Sequence, residues 1–265
     1  MKALARWPDP ATDLLDALAA TRPPMRRARP RIVKAYRWYE ANAPELGGAV
    51  PAQLSASAAK AFLRAYRGAA QIEQLRKNIL KAARFCPYCG IDIPYTLDHY
   101  VPKASFPEYA VYPDNLIPCC GECNLRRGDR WLDGGKRLHV NMYFDRISAV
   151  RILLAHIQVK DGSVDVTYRI DPARGAGKFM ALYVRHVGSL KLLGRFRQRA
   201  GMELEEWEIK LKRNRYGAKV GPAALRQELR RDAAAAEQLH GVNHWLTALR
   251  CAASESVDFI EYLCA

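Results

Sequence analysis

At 265 residues, with 49% hydrophobic and 26% charged residues, the chain has enough apolar material for one large domain or two modest ones without disulfide staples. Seven cysteines, five of them between Cys86 and Cys123, exclude a disulfide scaffold, and no stretch approaches the apolar length needed to cross a bilayer. The formal net charge of +15 and a pI near 9.7 point to a polyanionic partner, nucleic acid before an anionic membrane surface.

The N-terminus, MKALARWPDPATDLL, lacks an apolar core of signal-peptide length, which predicts a cytoplasmic, reducing compartment. There, clustered cysteines bind metal or catalyse more often than they form bridges. Asp9-Pro10 opens a short amphipathic helix with Leu14, Leu15 and Leu18. The segment TRPPMRRARPR reads as a basic, proline-punctuated connector, followed by a helix over 32–43. From Ser55 onward, Phe62, Tyr66, Ala69, Ile72, Leu75, Ile79 and Ala83 recur at three- and four-residue intervals, which predicts one long helix kinked near Gly68. Residues 86 to about 130 change character: YTLDHYV and NLIPCC read as strands, and GECNLRRGDRW holds a short helix ending near Gly128. Further on, VRILLAHIQVKDGSVDVTYRID is a hairpin turning at Lys160-Asp161-Gly162-Ser163. The remainder is helical. The expected fold class is α+β, mostly helical, with divisions at 1–85, 86–146 and 147–265.

Cys86-Pro87-Tyr88-Cys89 is open to two readings. A redox dithiol needs Cys86 to begin a helix after a strand. Here a long helix precedes it, and a glycine and a proline follow in GIDIPYT. Read with Cys120 and Cys123, the pair instead supplies half of four thiolates, the ligand count of a closed tetrahedral zinc site. Cys119 is a spare that could replace Cys120, although the x2 spacing favours Cys120.

Between the two pairs lies LDHYVPKASFPEY…YPDNLIPCCGECNLRRGD, which resembles the HNH endonucleases (ββα-metal or His-Me finger nucleases), in particular those with zinc-binding CxxC knuckles. The resemblance covers Cys86 to Arg130. It implies a zinc-stabilised ββα-metal finger between N- and C-terminal helical regions, hydrolysing DNA phosphodiester bonds. In it, His99 is the general base, Asp98 and Asn124 hold a catalytic divalent cation, and Asn115 holds the loop and orients His99. Asn124 stands where many relatives have histidine. The chemistry asks for these types independently: an imidazole with an ordinary pKa near 6.5 suits a general base, and oxygen donors suit Mg²⁺ or Mn²⁺. Competing roles stay open: an N-cap for Asn124 and a turn residue for Asn115. The same stretch is similar to HNH subunits of bacterial anti-phage defence systems, which implies an ATPase subunit as protein partner.

Three basic groups are candidates for phosphate neutralisation. One is Arg22, Arg26, Arg27, Arg29, Arg31, Lys34 and Arg37. The second, Arg126, Arg127, Arg130, Lys136 and Arg137, adjoins the motif and is favoured as the nucleic-acid contact. The third runs from Arg195 to Lys219, diluted by glutamates. The rival functions are an RNA-directed nuclease of the same kind and a non-catalytic zinc-knuckle module that binds nucleic acid or protein.

Overall fold

The computed structural model describes residues 3–175 and 177–265, and backbone contacts divide them into two units, Ala3–Arg146 and Ile147–Ala265. The first unit opens with α1 (Ala11–Ala20) and α2 (Pro23–Asn42). The expected connector is therefore helix. Pro23 and Pro24 sit in the first turn, where a missing N–H costs nothing. Pro30 forfeits one internal bond, worth about 3 kcal/mol. Met25, Ala28, Ile32, Tyr36 and Tyr39 are all buried along one stripe, at about 1.5–3 kcal/mol for each large side chain, and that outweighs it.

The long helix expected from residue 55 is two helices, α3 (Ala56–Gly68) and α4 (Ala70–Lys81), broken where Ala69 turns extended at ψ 134°. Ser55 caps α3 by accepting from the Ala58 N–H. Both helices keep the predicted apolar positions Phe62, Ile72, Leu75 and Ile79 buried, while Tyr66 is half-buried.

Strands β1 (Thr96–His99) and β2 (Leu116–Cys119) pair antiparallel, with Asp98 opposite Ile117 and His99 opposite Leu116. α5 (Gly121–Arg127) follows and ends at Gly128, whose φ of +50° suits glycine. A two-stranded sheet is marginal alone. Here α4 and α5 pack on it, and a tyrosine cluster ties its connecting loop to α2. The Tyr36 and Tyr112 rings lie 4.4 Å apart, and Tyr39 is edge-on to Tyr109 and Tyr112 at 5.1 and 4.9 Å. The short strands β3 (Leu132–Asp133) and β4 (Lys136–Arg137) close the unit.

The second unit begins with the predicted hairpin, β5 (Leu153–Lys160) and β6 (Ser163–Ile170). Asp161 and Gly162 both have positive φ, 49° and 72°, as a two-residue primed turn requires. Five helices follow: α6 (Gly177–Ser189), α7 (Leu192–Trp207), α8 (Tyr216–His240), α9 (Trp245–Glu255) and α10 (Val257–Cys264). A π-helical segment, Glu208–Arg213, prolongs α7, and Gly221 at φ 79° kinks α8 just before Pro222. No helix among the described residues is long and apolar enough to cross a membrane.

Buried Asn243 ties this unit together: its Oδ1 accepts from the Ile152 and Leu153 N–H groups, and its Nδ2 donates to the Ser148 and Val150 carbonyls. Asn243→Ala orphans these groups, at about 1–3 kcal/mol for each one left unsatisfied. A urea titration of the variant is expected to show the second unit unfolding at a clearly lower midpoint; an unchanged midpoint would refute the role.

Candidate functional site

Cys86, Cys89, Cys120 and Cys123 are buried, and their sulfurs lie within 4.8 Å of one another. The edge of a tetrahedron with Zn–S bonds of about 2.3 Å is roughly 3.8 Å; Cys89 and Cys120 stand 3.9 Å apart. The Ile91 N–H donates to Cys89 Sγ and the Cys123 N–H to Cys120 Sγ, bonds that favour thiolate. Hydrogen bonding from Cys123, then from Cys86 and Cys89, holds the Cys120 thiol far below its ordinary range. The donor set suits zinc. Cys119 is outside the cluster: it sits on β2 against Thr96 Oγ1 at 3.3 Å, and burial pushes its thiol up to about 12.

Asp98 and His99 are neighbours on β1, so their side chains leave on opposite faces. On one face, the Asp98 carboxylate receives Arg127 Nη1 at 2.7 and 2.6 Å and the Tyr88 hydroxyl at 2.7 Å. Arg127 also donates to the His99 carbonyl at 2.9 Å and the Tyr100 carbonyl at 2.5 Å, between the Tyr88 and Tyr100 rings. It is wholly enclosed, with side-chain exposures of 0% for Arg127 and 4% for Asp98.

On the other face, His99 is buried against the Tyr66 ring of α3, 4.4 Å away. Its Nε2 lies 3.0 Å from the Ala110 carbonyl. A carbonyl only accepts, so Nε2 carries the hydrogen and Nδ1 the lone pair. Lys103 Nζ lies 3.4 Å from that Nδ1. Burial, and secondarily the Lys103 charge, push the ring down to about 3, so it is neutral at pH 7.

Asn115 is fully buried and makes four side-chain bonds. Oδ1 accepts from the Val101 N–H and the Tyr39 hydroxyl; Nδ2 donates to the Val101 and Tyr109 carbonyls. It thereby pins both ends of the loop whose Ala110 carbonyl fixes His99. Asn124 lies on α5, half-buried, and its side chain makes no hydrogen bond among the described residues. The helix N-cap is Cys120, not Asn124.

The favoured basic group divides. Arg127 is spent on Asp98, and Arg137 is enclosed between Asp145 and Glu45. Neither reaches a phosphate, because an ion pair buried this completely does not open to solvent cheaply. Arg126 is exposed but paired with Glu122, which leaves Arg130 and Lys136 as its open cations. Three contributors are absent from the motif reading: Lys103, Tyr66 and Tyr88. Lys103 had a signal in the sequence, four residues after His99. Tyr66 comes from another helix and had none.

Breaking a buried ion pair leaves one charge uncompensated, at about 3–5 kcal/mol. Arg127→Met is expected to lower unfolding stability by that amount, and the double variant Asp98→Asn/Arg127→Met to recover part of it. Equal stability of wild type and Arg127→Met in urea would show that the pair is not formed.

Residues 86–130 match the HNH endonuclease family. The chain is 30% identical over 135 residues to protein Ea31 of Escherichia phage lambda; the match spans 48% of this chain and 45% of the phage protein, so less than half of that relative's length. No solved structure matches the chain. The antiparallel strand pair, the short helix and the cysteine cluster occupy the matched span, and residues 86–130 are an HNH endonuclease domain, which points to a nuclease of that family.

Proposed function

We propose that the chain is a metal-dependent endonuclease cutting DNA, with His99 as general base and a structural zinc on Cys86, Cys89, Cys120 and Cys123. The observation that carries this reading is the tautomer of His99. Its Nε2 is committed to a carbonyl, and the lone pair of Nδ1, which faces the Lys103 ammonium at 3.4 Å, is the one that would take a proton. A neutral, oriented imidazole is what abstraction of a proton from water requires, and an anionic phosphate beside it would raise the ring from the low range that burial and Lys103 impose. Asn115 acts through the loop: it holds the Ala110 carbonyl in place and so fixes the ring. Lys103, 3.4 Å from Nδ1, would be a cation available to a phosphate attacked there.

Asp98 and Asn124 are the proposed donors for a divalent cation. Arg127 and Tyr88 take three of the roughly four lone-pair sites of the Asp98 carboxylate, leaving one. With the unengaged amide oxygen of Asn124 this gives hard oxygen donors, the chemistry of Mg²⁺ or Mn²⁺. Such an ion supplies charge stabilisation at the scissile phosphate. The resemblance to HNH subunits of anti-phage defence systems supports a cytoplasmic nuclease working with an ATPase subunit. An RNA target involves the same residues.

One observation favours a second reading, a non-catalytic zinc module: the Arg127 guanidinium against Asp98 opposes a second cation there. Plasmid cleavage with Mg²⁺ or Mn²⁺ separates the two. His99→Ala is expected to lose about 10²–10⁴-fold in rate while retaining its zinc. No metal-stimulated cleavage by the wild type, or equal cleavage by His99→Ala, refutes the nuclease mechanism. A second measurement isolates the zinc: Cys120→Ser is expected to lower the metal content from one zinc per chain and to reduce thermal stability, since metal binding and folding of such fingers are coupled.

A further inference from the structure

The exposed side of α2 carries a stripe. Arg27, Arg31, Lys34 and Trp38 are spaced by four, three and four residues, so they fall within about 60° of one another around the helix. Arg27 and Lys34 make no ion pair among the described residues, and Arg31 bonds only the Gln53 carbonyl, at 2.8 Å. The stripe ends in a cleft of about 390 Å³, lined by Arg31, Lys34, Trp38, Val50, Gln53 and Tyr109 among others, with no acidic side chain in the lining. That volume is within the range of small-ligand sites.

The loop wall is fastened: the Ala52 N–H donates to Glu108 Oε1 at 2.8 Å. Glu108 is completely buried, and its Oε2 has no partner. Burial raises this carboxyl. The floor residue, Tyr109, immediately precedes Ala110, whose carbonyl fixes His99.

We propose that this cleft binds an unpaired nucleotide of a DNA strand, with the base on Trp38 and the adjoining phosphates on Arg31 and Lys34. An indole beside two open cations, in a pocket without acids, matches the two parts of a nucleotide. A strand fits better than a free nucleotide because the cations continue past the cleft: Arg27 to Lys34 spans about 10 Å of helix, beyond the reach of one phosphate. A duplex hides its base faces and offers Trp38 nothing to stack on. The role rests on the nuclease reading, as a strand anchor beside the cutting site, but binding is measurable without cleavage.

Fluorescence anisotropy, without added Mg²⁺ or Mn²⁺, compares a labelled single-stranded DNA oligonucleotide with the same sequence as duplex. Trp38→Ala is expected to weaken single-strand binding about tenfold, with a smaller effect on duplex. Arg31→Gln/Lys34→Gln is expected to flatten the dependence of log affinity on log salt by about 1.4, roughly 0.7 for each lost phosphate contact. Thermal melts check that these surface variants fold. The inference is overturned if the wild type does not bind the single strand, if both variants bind as the wild type does, or if Trp38→Ala weakens duplex equally. Competition by free deoxyadenosine monophosphate as effective, per nucleotide, as unlabelled strand also overturns it, in favour of a nucleotide pocket. Plasmid cleavage on the same preparations keeps the readings apart. Variants with undiminished affinity in a chain that cuts sink the anchor alone, whereas weakened variants in a chain that does not cut sink the nuclease reading alone.

Discussion

The finger depends on one buried ion pair. Arg127, at the end of α5, reaches through to Asp98 and the His99 carbonyl on β1 and to the Tyr100 carbonyl just beyond it. A strand pair of four residues each has almost no apolar area with which to hold a seven-residue helix. The guanidinium substitutes geometry for area, because its planar fork satisfies a carboxylate and two backbone carbonyls at once. Desolvating it is costly, and the flanking Tyr88 and Tyr100 rings recover part of that cost. Fixing one face of β1 also fixes the other. With Asp98 held, the pleat directs His99 to the Tyr66 and Ala110 side.

The cysteine cluster and the helices secure what the ion pair does not. The cluster joins the turn before β1 to the start of α5, just beyond the Thr96–Cys119 end of the sheet. The loop between the strands is held by Asn115 and the tyrosines of α2, so the position of His99 depends on residues far away in the chain. The helices before the finger are therefore part of how its imidazole is aimed. Tyr39 shows this in a single atom: its hydroxyl donates to the same Asn115 oxygen that receives the Val101 N–H.

Much of this was legible because the signals are local. The cysteine spacing, the D-H pair on a strand, the helix ending at Gly128 and the turn at Asp161-Gly162 all lie within a few residues of what they specify. Three features were not. The connector read from TRPPMRRARPR is helix because proline at the first turn breaks nothing, and the buried stripe of Met25, Ile32, Tyr36 and Tyr39 extends across Pro30. The long helix expected to kink near Gly68 breaks fully at Ala69, since a periodic apolar pattern continues through a break that keeps the same face inward. The inward turn of Arg127 was hidden for another reason. An arginine after a motif reads as a phosphate ligand, and only tertiary structure shows a carboxylate waiting for it.

That last point bears on how a basic protein is read. Net charge adds all cations alike, but an arginine whose charge is already answered contributes little to a distant anion at physiological salt. Arg127 and Arg137 are answered in the interior, Arg126 by Glu122, Arg197 by Asp165 and Lys210 by Glu206. On α2, Arg29 is answered by Asp16, but Arg27 and Lys34 are not. Of the basic residues nearest the motif, Arg127 and Arg137 are thus the ones that hold the finger together. The attraction for a polyanion lies more with cations on a helix that precedes it. Proximity to a motif in sequence is a weaker guide to charge availability than the absence of a carboxylate within reach.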